Sequence, residues 1–406
     1  METILRPAAD WELASFLAEA TAARTPVEIV GGHSKARMGR SREPGAIIST
    51  HVMRGIRAYD PSERMITVQA GCLITDIERE LAVRGQMLGF EPLDIANVFG
   101  GEPGRATIGG VISANLAGSR RLVAGGVADH LLGVSGVAGT GEIFRSGART
   151  RRSVAGLDLR RAMAGSWGTL AALVEVTLSV EAIPDETATL VIFGLSEEIA
   201  IEAMADAART PHGVTGTVHL EPAMAARLWF DRLREENQAI TVLRVEAPAN
   251  GTALRVERLK DALRAYGDMQ LLDHEASLSL WHELRQLTIL AHNDKPLWRI
   301  TTRPSKAFQV VSGIRRYMAV DAFYDWSGGL IWLEVPEAAD AGATEIRRVI
   351  ASSGGHATLV RASDEVKATV DVFEPMHSGI ELMTRRLKDV FDPAGILNPG
   401  RIYAGM

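Results

Sequence analysis

Apolar positions along this 406-residue chain recur in two rhythms, one every three to four residues and one every two, and the two alternate. Leu13, Phe16, Leu17 and Ala20 share one face of a helix that Asp10 is placed to cap, and Thr75 with Glu78 has the capping-box spacing for a second helix ending before Gly85. Short aliphatic and β-branched runs at 27–30, 65–70 and 171–180 read as strands between such helices. Residues 134–144, with Gly139-Thr140-Gly141 at their centre, read as a β-hairpin between Gly133 and Gly147. The regular strand–helix–strand spacing of a Rossmann domain is missing, which makes the mixture α+β.

A second series begins around Ile183-Pro184-Asp185-Glu186. Strands are predicted at 188–194, 214–220 and 240–247, with a helix at 196–209 and another after Gly251 whose Val256, Leu259, Leu263 and Tyr266 share one face. Trp326-Ser327-Gly328-Gly329-Leu330 is a turn candidate between strands at 319–324 and 331–335. An antiparallel sheet covered by helices on one side accounts for this order. Near the end, Ser378 and Glu381 form a further capping box, and Ile380, Met383, Leu387, Val390 and Phe391 give an apolar stripe expected to pack inward.

Composition narrows the class. A single hydrophobic core stops growing at roughly 250 to 300 residues, so this chain has room for two. With 46% hydrophobic and 23% charged residues, a net charge of −6 and no basic run interleaved with aromatics, a nucleic-acid partner is not expected. No stretch offers the ~18 uninterrupted apolar residues of a membrane span, and Met1-Glu2-Thr3-Ile4-Leu5-Arg6-Pro7 lacks a signal pattern. A cytoplasmic protein is the expectation, or one held at the inner face of the membrane through partner subunits. Cys72 is the only cysteine, so the chain cannot ligate a cysteine-bound iron–sulfur cluster by itself, and a buried small hydrophobe is its expected role.

Three glycine-rich stretches carry the chemistry. The strand Val27-Glu28-Ile29-Val30 runs into Gly31-Gly32-His33-Ser34-Lys35 and then Gly39, where successive N–H groups, a hydroxyl and a lysine suit a diphosphate. Pro103-Gly104-Arg105-Ala106-Thr107-Ile108-Gly109-Gly110, continuing through Ser113 to Asn115, is a run of small residues against which a planar ring or a diphosphate packs closely. Gly165-Ser166-Trp167-Gly168-Thr169-Leu170 leads into a strand through Val174. None is a GxGxxG turn, and together they suggest a flavin held by separate loops.

In this order the three stretches resemble the FAD-binding domain of the vanillyl-alcohol oxidase or PCMH type. The likeness extends through Gly118-Ser119-Arg120-Arg121, Gly125, Asp129 and Leu132-Gly133 to Val154-Ala155-Gly156-Leu157-Asp158-Leu159, and closes with Phe391-Asp392-Pro393-Ala394-Gly395-Ile396-Leu397-Asn398-Pro399-Gly400-Arg401. In these segments, and weakly through Leu297-Trp298-Arg299, the chain is similar to one subgroup, the FAD-binding subunit of bacterial glycolate oxidase. That resemblance implies residues 1–184 as the FAD-binding domain, 185–370 as a cap and 371–406 as a segment returning to the flavin, with Asn398 and Arg401 beside it. It also implies a catalytic flavoprotein chain and an iron–sulfur chain as partners, and a small 2-hydroxy acid as substrate. FAD is expected to be noncovalent, with a covalent link through His33 as the alternative.

Oxidising a hydroxy acid needs a base for the hydroxyl proton and a cation for the carboxylate. Arg299 is a candidate for the carboxylate, since its planar fork matches that group, and an interdomain salt bridge or a flavin contact is the alternative role. His282 and His377, both expected near helix starts, are the base candidates among ten histidines. The HxxGDGNxH motif of metal-dependent relatives is missing and no metal ligands are expected. Three readings stay open: a subunit of a glycolate oxidase complex, a stand-alone hydroxy-acid or aldonolactone dehydrogenase, and a non-catalytic assembly subunit. Ser153, Leu157 and Ala128 stand where the subgroup has asparagine, tyrosine and arginine, and they favour the third.

Overall fold

The computed structural model describes residues 4–40, 45–147, 158–248 and 251–406. Three sheets organise these residues. Ile4–Leu5, Ala46–Ser49 and Val27–Val30 form a small parallel sheet, and a six-stranded antiparallel sheet is built on the long strand Ala171–Ala182. The hairpin of Leu131–Ala138 with Ile143–Gly147 pairs Gly133 with Gly147, as the glycine spacing predicts. The third sheet has eight antiparallel strands, and the turn at Trp326–Gly328 joins Asp321–Asp325 to Leu330–Glu334.

Alternation along those eight strands gives the large sheet two buried faces. On one, Trp298, Ile300, Leu190, Tyr324 and Leu333 pack under the helices Glu197–Arg209, Thr252–Leu263, Ala307–Arg315 and Ala343–Ser353. On the other, Val218, Leu220, Val242, Phe323 and Trp332 meet Met38, Leu93, Ile95, Val98, Ala114 and Leu116 from the first half of the chain. The large sheet therefore lies face-on against the loops that precede residue 121. Arg299, Asp325 and Arg244 lie on that same face.

The last segment crosses back. Val27 donates its N–H to the Ile396 carbonyl at 2.8 Å and accepts from the Asn398 N–H at 2.9 Å, so residues 396–398 add to the small parallel sheet. Asp392, fully buried, accepts from Lys388 Nζ and from the N–H groups of Ile396 and Leu397, which fixes the turn between the final helix and that strand-like segment.

Sequence signals at helix ends fared less well. Asp10 begins the helix Asp10–Ala23 instead of capping it, and Ala9 holds the cap position. Thr75 and Glu78 form no box on Ile74–Ala82, where Leu73 is the cap residue and Glu78 reaches Arg285 at 2.6 Å. In Ser378–Phe391 the cap is His377, and Glu381 pairs with Arg385. The stripe on that helix is also corrected: Ile380, Met383 and Val390 are 57%, 72% and 73% exposed, while Lys388 and Phe391 are buried. Among the described residues no helix is long and apolar enough to cross a membrane.

Candidate functional site

A cleft opens between the end of Val27–Val30, the helix Ile108–Ala114, the turn at Trp167-Gly168 with the start of the strand Ala171–Ala182, and the returning segment. Of the residues singled out from sequence, Gly31, Gly32, His33, Ser34, Lys35, Thr107, Gly109, Gly110, Ser113, Gly168, Asn398 and Arg401 line it. Four stretches far apart in sequence thus meet at one place.

Glycine is required where the loops press together. A Cβ on Gly32 would collide with the Arg105 carbonyl, so this glycine seats the first loop directly on the second. From there the backbone turns into the left-handed region at His33, with φ at 59°. The N–H groups of Gly32, His33, Ser34 and Lys35 find no protein acceptor among the described residues, and all four residues line the cleft. Consecutive unsatisfied amides in a concave turn are an anion-binding nest. Beside them the Lys35 ammonium is buried. Burial pushes its pKa down to about 8, with Asp94 pulling the other way.

Asn398 and Arg401 brace the wall. Asn398 Oδ1 accepts from the Ile29 N–H at 3.0 Å, and its Nδ2 donates to the Trp167 carbonyl at 2.6 Å. Arg401 donates to the Lys35 carbonyl at 2.7 Å and to Glu28 at 3.1 Å, and its guanidinium lies over Trp167. His33, Trp167 and Asn398 all line the cleft with positive φ, a concentration of backbone strain typical of ligand sites.

Other predicted residues support the cleft from behind. Ala106, Leu170 and Val174 are buried in the cores beneath it, Gly39 lies against Arg401, and Gly165 packs on Asn115. Ser166 is buried and Pro103 lies in a turn, neither at the lining. Glu28, Thr50, Ala70 and Trp167 line the cleft without having been singled out. Trp167 stood inside the third motif, but the other three look like ordinary strand and turn residues. The histidines are elsewhere. His282 sits near the end of His274–Arg285, beside Gln286, and His377 at the start of the exposed final helix; neither reaches the cleft. Arg299 faces the first half from the strand Leu297–Thr301, with its guanidinium over Trp326. Ser153, Leu157 and all of the Val154–Leu159 motif except Asp158 and Leu159 lie outside the described residues, and Ala128 is on the short helix Val127–His130.

Sequence comparison agrees with this geometry. Residues 1–147 match the profile of the FAD binding domain, and residues 376–402 match that of the FAD linked oxidases, C-terminal domain. Glycolate oxidase subunit GlcE of Escherichia coli (strain K12) is 31% identical over 389 residues, covering 95% of each chain. The chain belongs to the GlcE family of FAD-linked oxidases. Glycolate oxidase subunit GlcD of Bacillus subtilis (strain 168) is 24% identical over 432 residues, covering 99% of this chain and 89% of that one. In fold, this GlcE-family chain is similar to p-cresol methylhydroxylase, with a TM-score of 0.74 over 99% of its length and 88% of the other, at 12% identity.

FAD is the cofactor of this GlcE-family chain, and the residues fit it. The nest at 32–35 and Lys35 suit a diphosphate, and the small residues Gly109, Gly110 and Ser113 leave the opposite wall flat.

Proposed function

We propose that this chain is the FAD-binding subunit of a glycolate oxidase complex, oxidising glycolate or a related 2-hydroxy acid and passing electrons to partner chains. The supporting observation is the nest of free amides at 32–35 beside buried Lys35, in a chain that aligns with GlcE over 95% of each sequence. In this reading residues 1–184 with 371–406 hold the cofactor and 185–370 form the cap. Partners are a catalytic flavoprotein subunit and an iron–sulfur subunit, consistent with a chain that has one cysteine, buried Cys72.

Bound FAD supplies a two-electron acceptor for the substrate carbon. The protein's own tasks are binding and orientation. The amides of 32–35 and the Lys35 ammonium neutralise diphosphate charge, Asn398 and Arg401 fix the wall, and Arg299 meets a carboxylate. His33 lines the cleft beside a noncovalent cofactor.

The purified chain is expected to be yellow, to gain thermal stability with added FAD, and to release its colour into the supernatant on acid precipitation. Anaerobic addition of glycolate, D-lactate and an aldonolactone to the reconstituted complex separates the readings. Bleaching by glycolate supports the proposal, bleaching of the isolated chain by the lactone favours the stand-alone enzyme, and a colourless chain indifferent to FAD overturns it.

A further inference from the structure

Among the described residues, most of the buried and half-buried arginines are ion-paired. Arg120 and Arg244 meet Glu246 and Glu91, Arg227 and Arg361 meet Glu334, and Arg315 and Arg347 each meet a carboxylate. Arg299 and Arg121 depart from this pattern. Among the described residues neither guanidinium makes an ion pair or a side-chain hydrogen bond, and Arg299 Nε is enclosed without an acceptor. Both lie over the same indole, Trp326, each with its guanidinium carbon 5.2 Å from the ring centre.

This arrangement costs free energy as it stands. A cation–π contact offsets only part of the penalty of holding a half-buried guanidinium without a counter-charge. Burial, with the repulsion of Arg121, pushes the Arg299 pKa down to about 10. The one nearby acid gives little relief. Asp325 spends its oxygens on the Ser119 hydroxyl at 2.7 Å and on the Trp326 N–H at 2.6 Å, and burial pushes its pKa up to about 7. Both arginines are half-buried and so remain reachable. They come from opposite sides of the contact between the chain's two halves, Arg121 from the start of the short helix Arg121–Ala124 and Arg299 from the large sheet. That contact is close, because Trp326 Nε1 donates to the Gly118 carbonyl at 3.1 Å.

We infer that Arg299 and Arg121, gathered around Trp326, form an anion site for a small carboxylate, so that this chain has a substrate-type pocket of its own. Arginine forks select a planar carboxylate, and the closeness of the two halves limits its size. That the acid is a 2-hydroxy acid rests on the flavin reading above; the anion site itself does not.

The test is calorimetric titration of the chain as purified, with oxalate in chloride-free buffer, alongside inorganic phosphate as a second probe and FAD content per chain as an independent readout. One oxalate is expected per chain, with affinity weakened at least tenfold in R299Q and in R121Q while FAD content stays unchanged. R299K, which keeps the charge, guards against loss of folding and should retain part of the affinity. No saturable oxalate binding, binding indifferent to both arginines, or phosphate bound more tightly than oxalate would overturn the inference. FAD content falling in step with oxalate affinity would also overturn it, since the arginines would then serve the cofactor. A chain without FAD that still binds oxalate through both arginines would sink the flavin reading and leave the anion site standing.

Discussion

Lys35 shows how a residue that lines the cleft can oppose the fold that carries it. Its ammonium is desolvated among the cleft residues, with Asp94 the acid that attracts it, and a pKa near 8 in place of 10.5 corresponds to roughly 3 kcal/mol of penalty on the charged form. Because the folded state releases this proton more easily than the unfolded chain, the penalty is complete below pH 8 and fades as pH rises toward 10.5. Lys35→Met should therefore raise the melting temperature of the flavin-free chain by several degrees at pH 7, while weakening FAD binding at least tenfold in a fluorescence titration. A melting temperature that falls with the substitution would show that the lysine is neutralised in the free chain. The sequence made Lys35 legible because glycines announced a close-packed turn around it. Glu28 and Thr50 were hidden, since a residue in a strand or in the turn just after one carries no local signal that it borders a cleft. Arg121 was visible as part of a family segment, but its lack of a partner is a property of packing and cannot be read from spacing.

The helix Ser378–Phe391 and the turn after it divide what patterning reveals from what it does not. Spacing located the helix correctly, yet three of its five apolar positions face outward, and the residue that anchors it inward is Lys388. Lys388 is held by Asp392 at 2.6 Å and by the carbonyls of Thr169 and Leu397 at 2.7 and 3.0 Å. Hydropathy places a lysine outside; only a buried carboxylate four residues on reverses that, and its burial depends on contacts distant in sequence. Asp392→Ala removes the acceptor for Lys388 and for two backbone N–H groups, leaving a buried cation unpaired. A loss of about 3 to 5 kcal/mol in urea unfolding is expected, and Lys388→Met in the same background should restore part of it. Helix caps misread for a related reason: the aspartate, threonine and serine fell within the first turn, and the glutamates expected to answer the last two were drawn to Arg285 and Arg385. The strands of the large sheet, set by long aliphatic runs, were predicted almost to the residue at 214–220 and 240–247.

Across the whole molecule, the two halves are joined by buried charge as well as by apolar surface. Arg120 reaches Glu246 with two hydrogen bonds at 2.5 and 2.6 Å, and Arg244 reaches Glu91 at 2.9 Å while stacking on Trp281. Burial alone would push the Glu91 carboxyl up, but the charge and hydrogen bond of Arg244, helped by Arg120, hold it down at about 2. A depressed acid stabilises the folded state above its ordinary value of 4.5, and that contribution disappears as pH falls toward 2. Glu91→Gln should lower stability at pH 6 and flatten the acid limb of the stability curve between pH 4.5 and 2, measured by chemical denaturation across that range. An unchanged acid limb would remove Glu91 from the account. Asn398 ties Ile29, 369 residues before it in sequence, to Trp167. Residues 28–173 leave the ribosome well before Asn398 does, so on the proposed reading cofactor loading waits for residues 396–401, and a chain halted before them is expected to emerge without colour.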